Sequence, residues 1–144
     1  MIVLIESALI TDLPVILALL ERCGLPTAGF AERLPTALVA RADGDVVGSA
    51  ALELYGAAAL LRSVAVDEAF RGQGLGVRLT QAALDLARQR GVTHVYLLTT
   101  TAGEFFPRFG FQPVAREDVP EAVKQSVEFT SACPVSALAM ARRL

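Results

Sequence analysis

Residues 62–76 read RSVAVDEAFRGQGLG, an apolar run followed by an arginine and then three glycines within five positions. The β-branched residues Val64 and Val66 favour an extended strand. From Leu75 onward the apolar residues recur at helical spacing. Gly72, Gly74 and Gly76 therefore fall where a strand must become a helix. Small residues there let the main chain approach a ligand closely, and the successive amides of a helix N-terminus converge on an anion. Arg71 adds positive charge. The segment lacks the Lys-Ser/Thr ending of a P-loop, and its G-x-G-x-G spacing differs from the G-x-G-x-x-G of a dinucleotide fingerprint. A glycine-rich turn that holds no ligand is the plain alternative.

The flanking elements give the segment its context. "ALLRSVAV" before it (59–66) is continuously apolar, as in a strand buried on both faces. "VRLTQAALDLARQRG" after it (77–91) is a helix, with Leu75, Leu79, Ala82, Ala83 and Leu86 on one face. Arg78, Gln81, Asp85 and Arg88 lie on the other face, and Gly91 ends the helix. "VTHVYLLTT" (92–100) is the next buried strand, so the three elements form a parallel crossover.

Upstream, residues 2–6 read as a strand, and 11–24 as a helix with Thr11 or Asp12 at its N-cap, Pro14 in its first turn and Gly24 as terminator. Leu13, Ile16, Leu17 and Leu20 form its expected buried stripe. "TALVARADGDVVGSAALEL" (36–54) reads as two strands joined at an Asp-Gly turn, and "YGAA" as a second turn. Downstream come a short helix (102–111), an edge strand "FQPVAR" (111–116), a helix "PEAVKQSVEF" (120–129) and a last strand (136–144). The whole is one mixed α/β domain over 1–144: antiparallel hairpins, one parallel crossover, then an antiparallel close.

Composition bounds the function. At 144 residues and 53% hydrophobic, the chain can bury its own core. The net charge is −2 and Lys124 is the sole lysine, which excludes the basic face of a nucleic-acid binder. The apolar opening "MIVLIESALI" is interrupted by Glu6 and is too short for a signal peptide or membrane span. Cys23 and Cys133 are isolated and have no metal-ligand spacing, and they read as reduced thiols in a cytoplasmic, metal-free protein, with a single bridge between them as the alternative.

The R-x-x-G-x-G pattern of Arg71, Gly74 and Gly76, together with "FFPRFGF" at 105–111, resembles the two signatures of the GNAT superfamily of N-acetyltransferases. That resemblance covers nearly the whole chain. It implies the acyl-CoA N-acyltransferase fold, a mostly antiparallel mixed central sheet with a parallel splayed strand pair flanked by helices. It also implies acetyl-CoA as donor, with no metal. Its pantetheine arm would meet Val64, Ala65 and Val66, and its pyrophosphate Arg71, Gly72, Gln73, Gly74, Leu75, Gly76 and Val77. The aromatic of the second signature, commonly a tyrosine that protonates the departing thiolate, is Phe106 here. That role cannot transfer, which leaves open a CoA-binding sensor domain without turnover. "LLRSVAV", "YLLTTTAGEFFPRFGF" and "EFTSACPVSALAM" further resemble arsenic-resistance-type N-acetyltransferases, whose relatives acetylate small phosphinic or arsinic amino acids. The reaction implied is direct attack by a small-molecule amine in a ternary complex.

At ~3.3 Å per residue, a pantetheine arm of roughly 13–16 Å running back from Val66 ends near Arg62 and Ser63. Glu53, opposite Leu60 or Leu61 across a hairpin, is either a general base with a raised pKa or a partner of Arg62. Arg62 either receives an anionic group of the substrate through its fork or pairs with Glu53 or Glu128. Ser63, Thr99 and Thr100 offer substrate hydrogen bonds, and Arg116 is a weaker anion receptor. His94 stands at the wrong end of its strand, ~20 Å from Thr100, and reads as structural. Water, Tyr55 or Cys133 remain as substitutes for the missing phenol. With no histidine near it in sequence, Cys133 reads as a spare thiol rather than a nucleophile. The sequence leaves the oligomeric state open, with the last strand and "FQPVAR" as edges on which a homodimer could form.

Overall fold

A computed structural model describes residues 2–144. Its strands are β1 (Val3–Ser7), β2 (Ala37–Ala42), β3 (Asp45–Tyr55), β4 (Ala58–Val66), β5 (His94–Thr99), β6 (Gln112–Pro113) and β7 (Leu138–Arg143). They form one sheet in the order β1-β2-β3-β4-β5-β7-β6, in which β4 and β5 are the parallel pair. The helices are α1 (Leu13–Arg22), α2 (Leu75–Gln89) and the single turn α3 (Glu121–Lys124). Asp43 and Gly44 join β2 to β3 with φ of +50° and +86°. Positive φ at both central residues is the two-residue turn whose twist matches the strands it connects.

Side-chain alternation along β3 decides which helix packs where. Ala50 and Leu52 face Leu75, Leu79, Ala83, Leu84 and Ala87 of α2. Ala51 faces Ile16, Leu19 and Leu20 of α1. Both long helices end in paired turn bonds. Leu25 N donates to Leu20 O and Gly24 N to Glu21 O, while Val92 N donates to Ala87 O and Gly91 N to Arg88 O. Gly24 and Gly91 supply the left-handed residue each such ending requires.

Several expectations shift. In α1 Ile16, Leu19 and Leu20 are buried while Leu13 and Leu17 are half-buried, and Asp12, in helical geometry at the helix start, turns its carboxylate to Leu9 N and Arg41 instead of capping. In α2 the buried stripe is Leu75, Leu79, Thr80, Ala83, Leu84 and Ala87, one position round from the expected one, leaving Ala82 and Leu86 half-buried. The helix expected over 120–129 stops at Lys124 and gives way to a wide turn at Glu128–Ala132. β6 is two residues long. β7 lies between β5 and β6, so the outer strands are β1 and β6, and β6 covers the last strand only at Met140 and Ala141. Among the described residues no helix is long and apolar enough to cross a membrane.

Candidate functional site

β4 and β5 are in register only from Ala58↔His94 to Leu60↔Tyr96. Beyond that β4 stays with β3 and β5 with β7, so the parallel pair splays. The cause is local. Ser49 pairs with Ala65 and Ala51 with Arg62, which leaves one extra residue on β4. Ser63 absorbs it with φ of +59°, and the buried Ser49 hydroxyl donates to its carbonyl at 2.7 Å. Such a bulge bends its strand, and a left-handed serine costs on the order of 1–3 kcal/mol, a strain typical of ligand sites. The result is a cleft of about 1080 Å³ between Leu61–Val66 and Leu97–Gly103 that reaches the N-terminus of α2.

At that end lie Gly72, Gly74 and Gly76. Gly72 and Gly74 have φ of +81° and +78°. A Cβ on either would meet nothing within 4 Å, so both face open space. Among the described residues no backbone acceptor takes the amides of Gly72 to Val77; the first bond of α2 runs from Arg78 N to Gly74 O. These amides stand at the positive end of a 15-residue helix, an arrangement whose chemistry suits an anion. Arg71 lies beside it, with Nε on the Val66 carbonyl at 3.1 Å and Nη2 near Cys23 Sγ at 3.6 Å. Val64, Val66, Arg71, Gly72, Gly74, Leu75, Gly76, Val77 and Phe106 all line the cleft. Two expected positions do not: Gln73 is exposed outside the lining, and Ala65 packs against α1 because strand alternation turns it to the opposite face. Phe106 sits edge-on to Phe105 and Phe111, with ring centroids at 5.1 and 5.8 Å.

Arg62, Ser63, Thr99 and Thr100 come together at the other end. The Thr99 hydroxyl is engaged, accepting from Ala102 N at 2.9 Å. The Arg62 side chain is wholly buried and its fork is committed. Nε donates to Ser63 Oγ at 3.1 Å, Nη1 to Glu53 Oε2 at 2.8 Å and Nη2 to the Ala28 carbonyl at 2.8 Å. Nη2 also stands 3.5 Å from Glu128 Oε2. A guanidinium so occupied is not free to receive a substrate anion bidentately.

Glu53 pairs with Leu60 in register, as expected, but it does not line the cleft. Burial alone would raise its pKa. Hydrogen bonds from Tyr55, Arg62 and Ser126 and the charge of Arg33 outweigh burial and hold the carboxyl below its ordinary range. The raised value expected from its apolar strand is therefore corrected. Tyr55 is the donor of the short hydrogen bond to Glu53 Oε1, which occupies its hydroxyl.

The group that does border the cleft is Glu128, 4% exposed. Burial pushes its carboxyl above the ordinary range; Arg62 opposes this, the Glu53 charge adds to it, and Cys133 opposes weakly. Cys133 Sγ stands 3.7 Å from Glu128 Oε1. Burial and this carboxylate push the thiol up to about 11, so it stays protonated and is a poor nucleophile. Arg116 spends Nη2 on the carbonyls of Pro134 and Ala137. His94, at the start of β5, contacts Thr93 Oγ1 and lies outside the cleft. Sequence reasoning treated Glu128 only as a partner of Arg62. The available signal was a lone acid in the otherwise uncharged stretch "SVEFTSACPVSALAMA".

These features agree with comparisons to known proteins. Residues 34–113 match the family model described as "Acetyltransferase (GNAT) domain". The chain belongs to that family. It is 34% identical over 93 residues to an N-acetyltransferase of Chlorobaculum tepidum, covering 64% of this chain and 59% of that one. N-acetylglutamate synthase of Neisseria gonorrhoeae, solved with coenzyme A and N-acetyl-glutamate, superposes with TM-score 0.86 at 26% identity, over 100% of this chain and 35% of the synthase. A Mycobacterium tuberculosis protein solved with CoA superposes with TM-score 0.84 at 25% identity, over 98% and 99%. The chain spans 59% of the first of these relatives, and 19% and 30% of the amino-acid acetyltransferases of Neisseria meningitidis and Pasteurella multocida.

Proposed function

We propose that the protein is an acetyl-CoA-dependent N-acetyltransferase that acetylates the amino group of a small, amino-acid-like molecule by direct attack in a ternary complex. The observation that carries this is the cleft itself, an amide cradle at one end joined by a bared β4 edge to a buried polar cluster. Gly72 to Val77 with Arg71 suit the diphosphate, and the unpaired edge of β4 from Leu61 to Val66 suits the pantetheine amides, in the manner of an added strand. Arg62 and Ser63 mark where the thioester carbonyl would lie, roughly 13 Å from Val66 along the strand.

Curated relatives that are amino-acid acetyltransferases support an amino-acid-like acceptor. The resemblance of the C-terminal stretch to arsenic-resistance-type enzymes adds arsinic and phosphinic amino acids to the candidates. Phe106 supplies no proton, and a coenzyme A thiol with an ordinary pKa near ~8.5 leaves as thiolate without a dedicated acid. The test measures coenzyme A release from acetyl-CoA over a panel of amino acids and their arsinic and phosphinic analogues. Amine-dependent release is expected. Tight donor binding with no release on any amine would identify a sensor domain instead.

A further inference from the structure

Two buried carboxylates share one guanidinium at the closed end of the cleft, and they share it unequally. Glu53 takes Arg62 Nη1 at 2.8 Å, accepts the Tyr55 hydroxyl and has Arg33 at 3.7 Å. Glu128 faces Arg62 Nη2 at 3.5 Å, but that nitrogen already donates to the Ala28 carbonyl at 2.8 Å. The other neighbour of Glu128 is the Cys133 thiol, which is neutral. Of the two acids, only Glu128 lines the cleft, beside Arg62 and Ser63.

We infer that Glu128 is the proton acceptor for the incoming amine, and that the Glu53–Arg62 pair is a fixed support that keeps Glu128 from being neutralised by its own guanidinium. The inference rests on the acetyltransferase reading. The ammonium of the acceptor gives one proton to the Glu128 carboxylate and becomes a neutral amine. The nitrogen lone pair attacks the thioester carbonyl, forming the C–N bond. Collapse of the tetrahedral adduct breaks the C–S bond, and the sulfur leaves with the electron pair. The second nitrogen proton ends on that thiolate, giving coenzyme A and the amide, and Glu128 returns its proton to water. Through both states Glu53 and Arg62 remain an intact ion pair. The charged and titratable groups facing Glu128 are Arg62 from β4, Glu53 from β3 and Cys133 from the segment after the wide turn. Burial with so little compensation is what makes its carboxylate a stronger base than an exposed glutamate.

The experiment compares the purified full chain with Glu128→Gln and Glu53→Gln. The probes are the best alkylamine acceptor from the panel and hydrazine assayed at a pH where it is neutral. Glu128→Gln should lower kcat on the alkylamine by roughly 10²–10⁴-fold. It should leave acetyl-CoA affinity by calorimetry unchanged and retain turnover of hydrazine, which needs no deprotonation. Glu53→Gln removes a neighbouring negative charge and frees Arg62 Nη1, so the acidic limb of its kcat/KM profile should move to lower pH. Wild-type kcat and an unmoved acidic limb in Glu128→Gln overturn the inference. Should that variant fail to bind donor because it does not fold, the limb of Glu53→Gln decides alone, and an unmoved limb overturns the inference. Absence of turnover on every amine by the wild-type protein would sink the acetyltransferase reading and this inference with it.

Discussion

Replacing Arg62 with methionine removes the only guanidinium, among the described residues, within 3.5 Å of either buried carboxylate while keeping much of its volume. Breaking a buried ion pair by deleting one partner costs about 3–5 kcal/mol, because the surviving charge is left uncompensated. Tyr55 and, at 3.7 Å, Arg33 still reach Glu53, which places the expected loss near the lower bound, about 3 kcal/mol. With a urea m-value of about 2 kcal/mol/M, the unfolding midpoint should fall by roughly 1.5 M. The pH dependence gives the reasoning a second handle. In the wild-type protein the depressed pKa of Glu53 contributes stability above its ordinary value of 4.5, lost as pH falls through the lower folded value. Without Arg62, burial dominates and both carboxyls shift upward, so the variant regains stability as pH falls and they protonate. The gap between the two proteins should thus be widest near pH ~7 and narrow toward pH ~4. A midpoint shift below about 0.5 M, or a gap independent of pH, would refute the claim that the pair is held by compensation of buried charge.

Gly74→Val should abolish detectable acetyl-CoA binding by calorimetry while costing only about 1–2 kcal/mol of stability. Its Cβ meets no protein atom, and the folding cost comes from a left-handed φ of +78° alone. Gly48→Ala should lose about 1–3 kcal/mol in chemical unfolding, since the added carbon would lie 2.8 Å from Leu79 Cδ1 and 3.1 Å from the Ala65 carbonyl. Cys133, held protonated up to about 11, should alkylate with iodoacetamide far more slowly at neutral pH than a free thiol of pKa ~8.5, and speed up only as the solution becomes strongly alkaline. Ser49→Ala leaves the Ser63 carbonyl without its buried donor, which should cost about 1–3 kcal/mol and weaken donor binding together, as the bulge relaxes.

The parts of the fold that sequence made legible are those specified by neighbours in the chain. Asp43-Gly44 dictates a hairpin because both positions need positive φ. The glycines at 72 and 74 mark the left-handed turn before α2 for the same kind of reason, as backbone freedom is a property of the residue itself. The buried faces of the helices were read less well. Asp12 was available as a cap, but Arg41 on β2 claims its carboxylate at 2.7 Å, and a contact between residues so far apart in sequence leaves no mark in local spacing.

The same distinction separates the two ends of the site. Glu53 stands in an apolar strand, which by itself argues for a raised pKa, yet Arg62, Tyr55, Ser126 and Arg33 reverse the sign. Of these only Tyr55 is close in sequence. Glu128 reaches Arg62 because the chain abandons its helix after Lys124 and widens into a turn, carrying the acid beneath the cleft. The segment proposed to hold phosphate is contiguous in sequence, whereas the balance of charge at the other end of the cleft is a property of strands and loops converging. Two glutamates with carboxylates beside the same arginine are thereby driven in opposite directions: the one with three donors is held as an anion, and the one left short is the proposed base.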